Sequence, residues 1–422
     1  MHHFNYVKGE LYCEEVPVRE VAEAVGTPFY LYSRRTLTHH FRVFDGAFAS
    51  VPHLTCFAVK ANSNIAILAL FAAEGGGADI VSGGELFRAL KAGVDPAKIV
   101  YSGVGKKVEE IDYALSEGIL MFNIESFQEL EVVNERAARL GKKAGIALRV
   151  NPDVDPETHP YISTGLKENK FGVDIDAAIE AYSRAARLKN LDIRGVSCHI
   201  GSQLTKLSPF LDALDRLKIL LGRLEMEGID IRYLDLGGGL GITYRDEEPP
   251  HPSRYAEAIV DAAQELPVTF VFEPGRVIVG NAGILVTKVL YTKQNEGKNF
   301  LIVDAGMNDL VRPSLYKAYH AIQPLTRRRR RTIVADVVGP ICESGDYLAK
   351  EREVPDFQPG EMLAVMSAGA YGFTMASNYN SRPRVAEVMA DGKEWFVIRR
   401  RETMNDLVRG EVVPRSLKKK KE

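Results

Sequence analysis

Cysteine is sparse and spaced for no framework. Cys13, Cys56, Cys198 and Cys342 are scattered without a CxxC pair, which excludes a disulfide scaffold and a structural zinc site and suits a reducing compartment. Charge of one sign is lacking too. A formal net charge of −2 over 422 residues gives no global field for nucleic acid or an anionic membrane. No charged-then-apolar leader opens the chain, and no apolar run approaches the roughly 18 residues of a membrane span. No HxH or HExxH pair is present, so no metal site is expected. The expectation is a soluble, cytoplasmic protein with neither nucleic acid nor membrane as partner.

What is there is a rhythm. With 45% hydrophobic residues over this length, the chain can bury a sizeable core. Apolar, β-branched runs recur at His53–Lys60, Ala78–Val81, Ile99–Ser102, Leu120–Ile124, Gly145–Val150, Gly195–Ile200, Tyr233–Leu236 and Val268–Phe272. Segments of helical period separate them, which implies parallel βαβ units. The strand count is that of a closed (β/α)₈ barrel, although an open doubly wound sheet satisfies the same count. The barrel is expected over residues 34–276. Beyond it, Ile284–Tyr291, Phe300–Asp304, Thr332–Gly339, Met362–Met366 and Trp395–Ile398 read as antiparallel strands. Residues 277–422 therefore form a β-rich second domain, sandwich- or barrel-like, joined by the N-terminal strands of residues 1–33. Arg327–Arg331 reads as a solvated basic loop, and Lys418–Glu422 as an unanchored charged tail.

Polar groups gather where the barrel strands end. Lys60, in Phe57-Ala58-Val59-Lys60-Ala61-Asn62, closes an apolar run. Lysine is rarely buried, so it is either a snorkelling side chain or a desolvated amine with a lowered pKa, ready to attack a carbonyl cofactor. Gly237-Gly238-Gly239-Leu240-Gly241 fits neither a Walker loop nor the dinucleotide pattern, yet four glycines in five residues suit a phosphate cradle better than a plain turn. His199, before Gly201-Ser202-Gln203, is a single histidine at a strand end, which by itself is more often structural than catalytic. Glu273-Pro274-Gly275-Arg276 puts an acid at a buried strand end, where it must pair, with Arg276 or Arg149 as partners, or hold a heterocyclic nitrogen protonated. Cys342-Glu343-Ser344-Gly345-Asp346 sets a cysteine among turn residues and acids, a poor fit to the small buried hydrophobe that free cysteine usually is. Arg312-Pro313-Ser314-Leu315-Tyr316 and Gly369-Ala370-Tyr371-Gly372 lie in loops marked by proline and glycine. A lysine, a phosphate cradle, a carboxylate and arginines together suit pyridoxal phosphate.

These motifs, in this order and over nearly the whole chain, resemble the alanine-racemase-fold, pyridoxal-phosphate-dependent decarboxylases of basic amino acids. The resemblance implies a carboxy-lyase that converts meso-2,6-diaminopimelate to L-lysine and CO₂, the last step of lysine biosynthesis. It makes Lys60 the Schiff-base lysine and His199 the ring stacked on the cofactor. Ser202, Gly238, Gly239, Gly275 and Arg276 would hold the phosphate, and Glu273 the pyridine nitrogen. Arg276 and Arg312 would clamp a substrate carboxylate, with Tyr316 adding a hydrogen bond and Glu343 pairing the distal ammonium. Tyr371 would touch both substrate and cofactor. Cys342 would deliver the final proton, from a loop of the partner subunit in an active homodimer. The alternatives on the same fold are decarboxylation of ornithine, arginine or carboxynorspermidine, and racemisation; a barrel that only carries the cofactor is a non-catalytic one.

Overall fold

Ser33 illustrates how local chemistry starts the barrel. Its hydroxyl accepts the Thr36 N–H at 3.0 Å and so caps the helix Arg34–Ala47, satisfying a donor that the first helical turn leaves open. Asn64, Ser82 and Ser126 cap the helices Ile65–Ala73, Gly83–Lys91 and Phe127–Arg139 in the same way. The computed structural model describes residues 2–155, 170–263 and 266–417. The expected charged tail, 418–422, lies outside them. The chain forms two units: Ser33–Gly283 with Ser367–Thr374 and the first three residues, and Phe4–Tyr32 with Ile284–Met366 and Met375–Glu422.

The first unit is a closed barrel. Its eight parallel strands are His53–Ala58, Gly77–Ile80, Ile99–Tyr101, Met121–Ile124, Ala144–Asn151, Leu191–Ser197, Tyr233–Asp235 and Thr269–Phe272. Closure comes where the last strand pairs with the first, Phe270 opposite His53. The open doubly wound alternative is thereby excluded. Cys56, Val100, Met121, Ala147 and Val271 fill the interior, as barrel interiors are filled by side chains rather than left as pores. Outside it, Phe48 stacks on Phe272 at 3.9 Å between ring centres, with Phe44 and Tyr255 packed around them. The sixth strand begins at Leu191, earlier than the apolar run at Gly195. The polar residues Asp192 and Arg194 hide its start, and its pairing with the fifth strand is irregular between Ile193 and Gly195.

The second unit is β-rich. Its main sheet runs Tyr347–Pro355, Thr332–Val338, Lys298–Val303, Gly283–Asn295, Phe29–Ser33, Ala386–Asp391, Glu394–Arg399. An N-terminal strand does join it, Phe29–Ser33 lying between Gly283–Asn295 and Ala386–Asp391. A separate three-stranded sheet of Phe4–Val7, Glu10–Cys13 and Val16–Pro17 packs its apolar side on the same core as Phe29, Leu31, Ile284, Val286 and Val388. One expectation needs correction: Lys298–Val303 and Thr332–Val338 pair parallel, not antiparallel. The basic run is also more than a solvated loop. Arg330 forks Glu361 at 2.5 and 2.6 Å, Arg331 pairs with Asp356 at 2.7 Å, and the Arg327 guanidinium lies 3.7 Å from the centre of the Tyr6 ring. Among the described residues, no helix is long and apolar enough to cross a membrane.

Candidate active site

Lys60 lies just beyond its strand, in the turn Val59–Ala61, whose flanking residues are both buried. The register that pairs Ala58 with Asp79 brings the lysine beside the second strand. There Lys60 Nζ donates to Asp79 Oδ2 at 2.6 Å. Burial disfavours the ammonium, but Asp79, Glu273 and Tyr371 outweigh it, and the amine is held above the ordinary lysine range. The expectation of an amine made acidic by burial is therefore corrected, because three nearby anionic or phenolic groups supply more attraction than desolvation removes.

Glu273 follows the eighth strand. Arg149, one of its expected partners, pairs instead with Glu125 at 2.9 Å. Glu273 Oε1 accepts from Ser102 Oγ and from Asn123 Nδ2, each at 3.3 Å. Asn123 Nδ2 also reaches Asp235 Oδ2 at 2.8 Å. Burial, then Asp235 and Asp79, push the Glu273 carboxyl well above the usual carboxylate range.

The glycine loop begins two residues after Asp235, whose Oδ1 accepts the Gly237 N–H at 2.9 Å. Gly237 and Gly239 have φ of +66° and +114°, the left-handed region that glycine enters without strain. A Cβ at Gly238 would overlap the Glu273 carbonyl, and one at Gly239 would lie 2.5 Å from Gly201 O. His199 Nδ1 accepts the Gly238 N–H at 3.1 Å, which leaves the imidazole proton on Nε2. Burial, with Arg149 and Lys60 nearby, keeps that ring neutral. Arg276 donates to Ser202 Oγ at 3.1 Å and to Tyr244 OH at 2.7 Å, and its guanidinium sits 5.0 Å from the Tyr371 ring centre. Gly275 has no room for a side chain, since its Cβ would lie 2.9 Å from that of Ala61. Tyr371 is tied to the lysine turn, its N–H donating to Ala61 O at 2.8 Å.

The structure thus gathers Lys60, His199, Ser202, Gly238, Gly239, Glu273, Gly275, Arg276 and Tyr371 in the first unit. Pyridoxal phosphate suits this group. Asp79 Oδ1 is buried with no hydrogen-bond partner among the described residues. Asp79 and Glu273 act on the Lys60 ammonium and Asp235 acts on Glu273, a group of acids that a pyridinium would help to balance. The glycine loop offers backbone, and Ser202 and Arg276 offer donors, as a phosphate requires.

Arg312, Tyr316, Cys342 and Glu343 belong to the second unit. Arg312 is buried and donates to His320 Nε2 at 2.9 Å, while His320 Nδ1 donates to Met366 O at 2.8 Å. Cys342 and Glu343 are exposed at a loop tip, and Cys342 is a free thiol. Asp346 Oδ2 accepts the Ile341 N–H at 2.7 Å, and Asn380 Oδ1 accepts the Cys342 N–H at 2.7 Å. Ser314 Oγ donates to Gly345 O at 2.5 Å, joining the Arg312–Tyr316 turn to the cysteine loop.

Sequence reasoning missed Asp79, Asn123, Asp235 and Tyr244. The first three carried a usable signal: each is a polar residue inside an apolar strand, the same oddity that singled out Lys60.

Residues 34–280 match the model of the pyridoxal-dependent decarboxylase family, pyridoxal binding domain. The chain is 54% identical over 409 residues to the diaminopimelate decarboxylase of Vibrio cholerae serotype O1, covering 96% of this chain and 98% of that relative. To the diaminopimelate decarboxylase of Pseudomonas aeruginosa it is 55% identical over 408 residues, covering 97% and 98%. The crystal structure of diaminopimelate decarboxylase from Helicobacter pylori complexed with L-lysine superposes with a TM-score of 0.90 at 47% identity, covering 93% of this chain and 98% of that one.

Proposed function

The chain belongs to the pyridoxal-dependent decarboxylases, in the diaminopimelate decarboxylase branch, and from that premise we propose that it releases CO₂ from meso-2,6-diaminopimelate and forms L-lysine. The observation that carries the reading is the Lys60 pocket itself: an amine paired with Asp79 at 2.6 Å, above a buried acid floor and beside a glycine loop. Bound pyridoxal phosphate supplies an aldehyde for the lysine and a ring that accepts the electron pair left behind when CO₂ departs.

The chain's own residues have distinct work. Lys60 Nζ is the nucleophile, and Asp79 Oδ2 is the nearest base for the proton it must shed. His199, neutral and fixed in one tautomer by Gly238, offers a flat face without adding charge. Ser202, Gly238, Gly239, Gly275 and Arg276 would hold the phosphate through side-chain donors and open backbone. Glu273 would pair with the ring nitrogen.

In the same reading, Arg276, Arg312, Tyr316, Tyr371 and Glu343 are the substrate contacts. The two guanidiniums suit the distal carboxylate that meso-diaminopimelate has and ornithine lacks. Binding energy from that remote end orients the scissile carboxylate. Cys342 delivers the proton that replaces CO₂. The enzyme is a homodimer in which Cys342 of the partner subunit serves the pocket, and its free cysteines suit a reducing cytoplasm. The test is direct: purified protein with pyridoxal phosphate is expected to release CO₂ from meso-diaminopimelate with L-lysine as product. Faster turnover of ornithine under the same conditions would overturn the assignment.

A further inference from the structure

In the second unit the chain folds back so that Arg312 and His320, eight residues apart, meet side chain to side chain. Arg312 opens the short helix Arg312–Tyr316, and Lys317 ends it in the left-handed region at φ +52°. The chain then enters the strand Ile322–Pro324, which pairs antiparallel with Met362–Val365, Ile322 opposite Val365. Just before that strand, Ala321 O accepts the Met366 N–H at 2.8 Å. His320 is thereby set beside Met366 and turned towards Arg312. Neither residue faces solvent: His320 is 0% and Arg312 5% exposed.

Hydrogen-bond chemistry fixes the state of the ring. His320 Nδ1 lies 2.8 Å from Met366 O, and Nε2 lies 2.9 Å from Arg312 Nη1. A carbonyl only accepts and a guanidinium only donates. Nδ1 therefore carries the hydrogen and Nε2 the lone pair, which is one tautomer of the neutral imidazole. A protonated ring would set one N–H against another. The backbone of His320 is held as well, its carbonyl accepting from Arg352 Nη1 at 2.9 Å, while the Arg352 guanidinium lies 3.8 Å from the centre of the Tyr319 ring. Arg312 thus rests one N–H on an acceptor that Met366 and Arg352 keep in place. Unlike a carboxylate, a neutral imidazole directs a guanidinium without offering it a competing charge.

We propose that His320 is a positioning residue that aims Arg312 at the distal carboxylate of the substrate, and so sets the preference for molecules that bear this group. No bond forms or breaks at the histidine. It holds in advance the direction that the guanidinium needs, so less orientational freedom is lost when the carboxylate binds. The carboxylate that remains on L-lysine is the distal one of meso-diaminopimelate, so the product is held by the same contact. The inference rests on the reading of Arg312 as a substrate contact.

L-lysine and 1,5-diaminopentane, which is L-lysine without its carboxylate, are compared as inhibitors of CO₂ release from meso-diaminopimelate by the full-length holoenzyme. The ratio of their inhibition constants, diamine over lysine, reads the carboxylate contact. His320→Asn keeps a donor for Met366 O but falls short of Arg312. The ratio is expected to drop about tenfold, the scale of one lost hydrogen bond to a charged group. His320→Gln reaches as far as Nε2 and offers an oxygen there, and is expected to bring the ratio back towards the wild-type value. A merely structural role would weaken both inhibitors together and leave the ratio unmoved. An unchanged ratio in His320→Asn, or a loss in His320→Gln as large as in His320→Asn, would overturn the proposal. If His320→Asn does not fold, nitrogen NMR of histidine-labelled wild type decides the matter. The ring signal missing from His320→Gln is expected to be that of the Nδ1–H tautomer; an Nε2–H tautomer or an imidazolium there would overturn the proposal. An Arg312→Leu enzyme that keeps the wild-type ratio would overturn the reading of Arg312 instead.

Discussion

Lys60 and Asp79 form an ion pair of 2.6 Å in which the acid is fully buried, while a third of the lysine side chain remains accessible. The pair reverses the usual account of a reactive lysine. Burial does not strip the amine of its proton here; the neighbouring acids hold the proton on, and one of them stands close enough to take it back.

Asp79→Asn is expected to lower the Lys60 pKa, since desolvation is then opposed by fewer charges. More of the amine is neutral at a given pH, so the rise of cofactor capture with pH moves to lower pH. The rate of borohydride-trapped pyridoxal phosphate incorporation, followed against pH, is the measurement. A profile that superimposes on wild type sinks the idea.

Gly238→Ala places a methyl group onto the Glu273 carbonyl, and neither backbone can give way cheaply. We expect a loss of about 1–3 kcal/mol in stability and at least about a tenfold weaker hold on pyridoxal phosphate, equivalent to about 1.4 kcal/mol. Denaturant unfolding and equilibrium dialysis of the cofactor test both.

Cys342→Ala is expected to keep the yellow absorbance of the lysine-linked cofactor and to lose about 10²-fold or more in turnover, the usual scale for a lost proton donor. An unchanged rate would remove this thiol from the mechanism.

Acid stability of the second unit should depend on Glu402. Burial raises its pKa, but Arg384 and Asn378 outweigh this and bring it from the ordinary 4.5 down to about 2. A depressed acid contributes stability that is fully present above its unfolded value and is lost as pH falls towards its folded one. Wild type should therefore lose more stability between about pH 4.5 and 2 than Glu402→Gln does. Parallel stability curves for the two proteins over that window would refute the role assigned to this pair.

The barrel was legible because each strand is an apolar run between helical segments, and all eight runs became strands. The second unit was less legible. Tyr347–Pro355 and Ala386–Asp391 escaped notice because charged residues such as Lys350, Glu351, Arg352 and Glu387 interrupt them. The parallel pairing of Lys298–Val303 with Thr332–Val338 has no local signal at all, since strand direction is set by the path between strands.

Sequence alone therefore determined the repeating units, the count of barrel strands, and the places where a lysine, glycines and an acid interrupt apolar runs. Only the tertiary structure decided which charges these groups carry. Lys60 is an ammonium because Asp79, from the second strand, stands 2.6 Å from its Nζ. Glu273 is pushed towards its protonated form first by burial, then by Asp235 and Asp79. Protonation depends on distance through space, and closing the barrel is what brings residues 60, 79, 123, 235 and 273 within reach of one another.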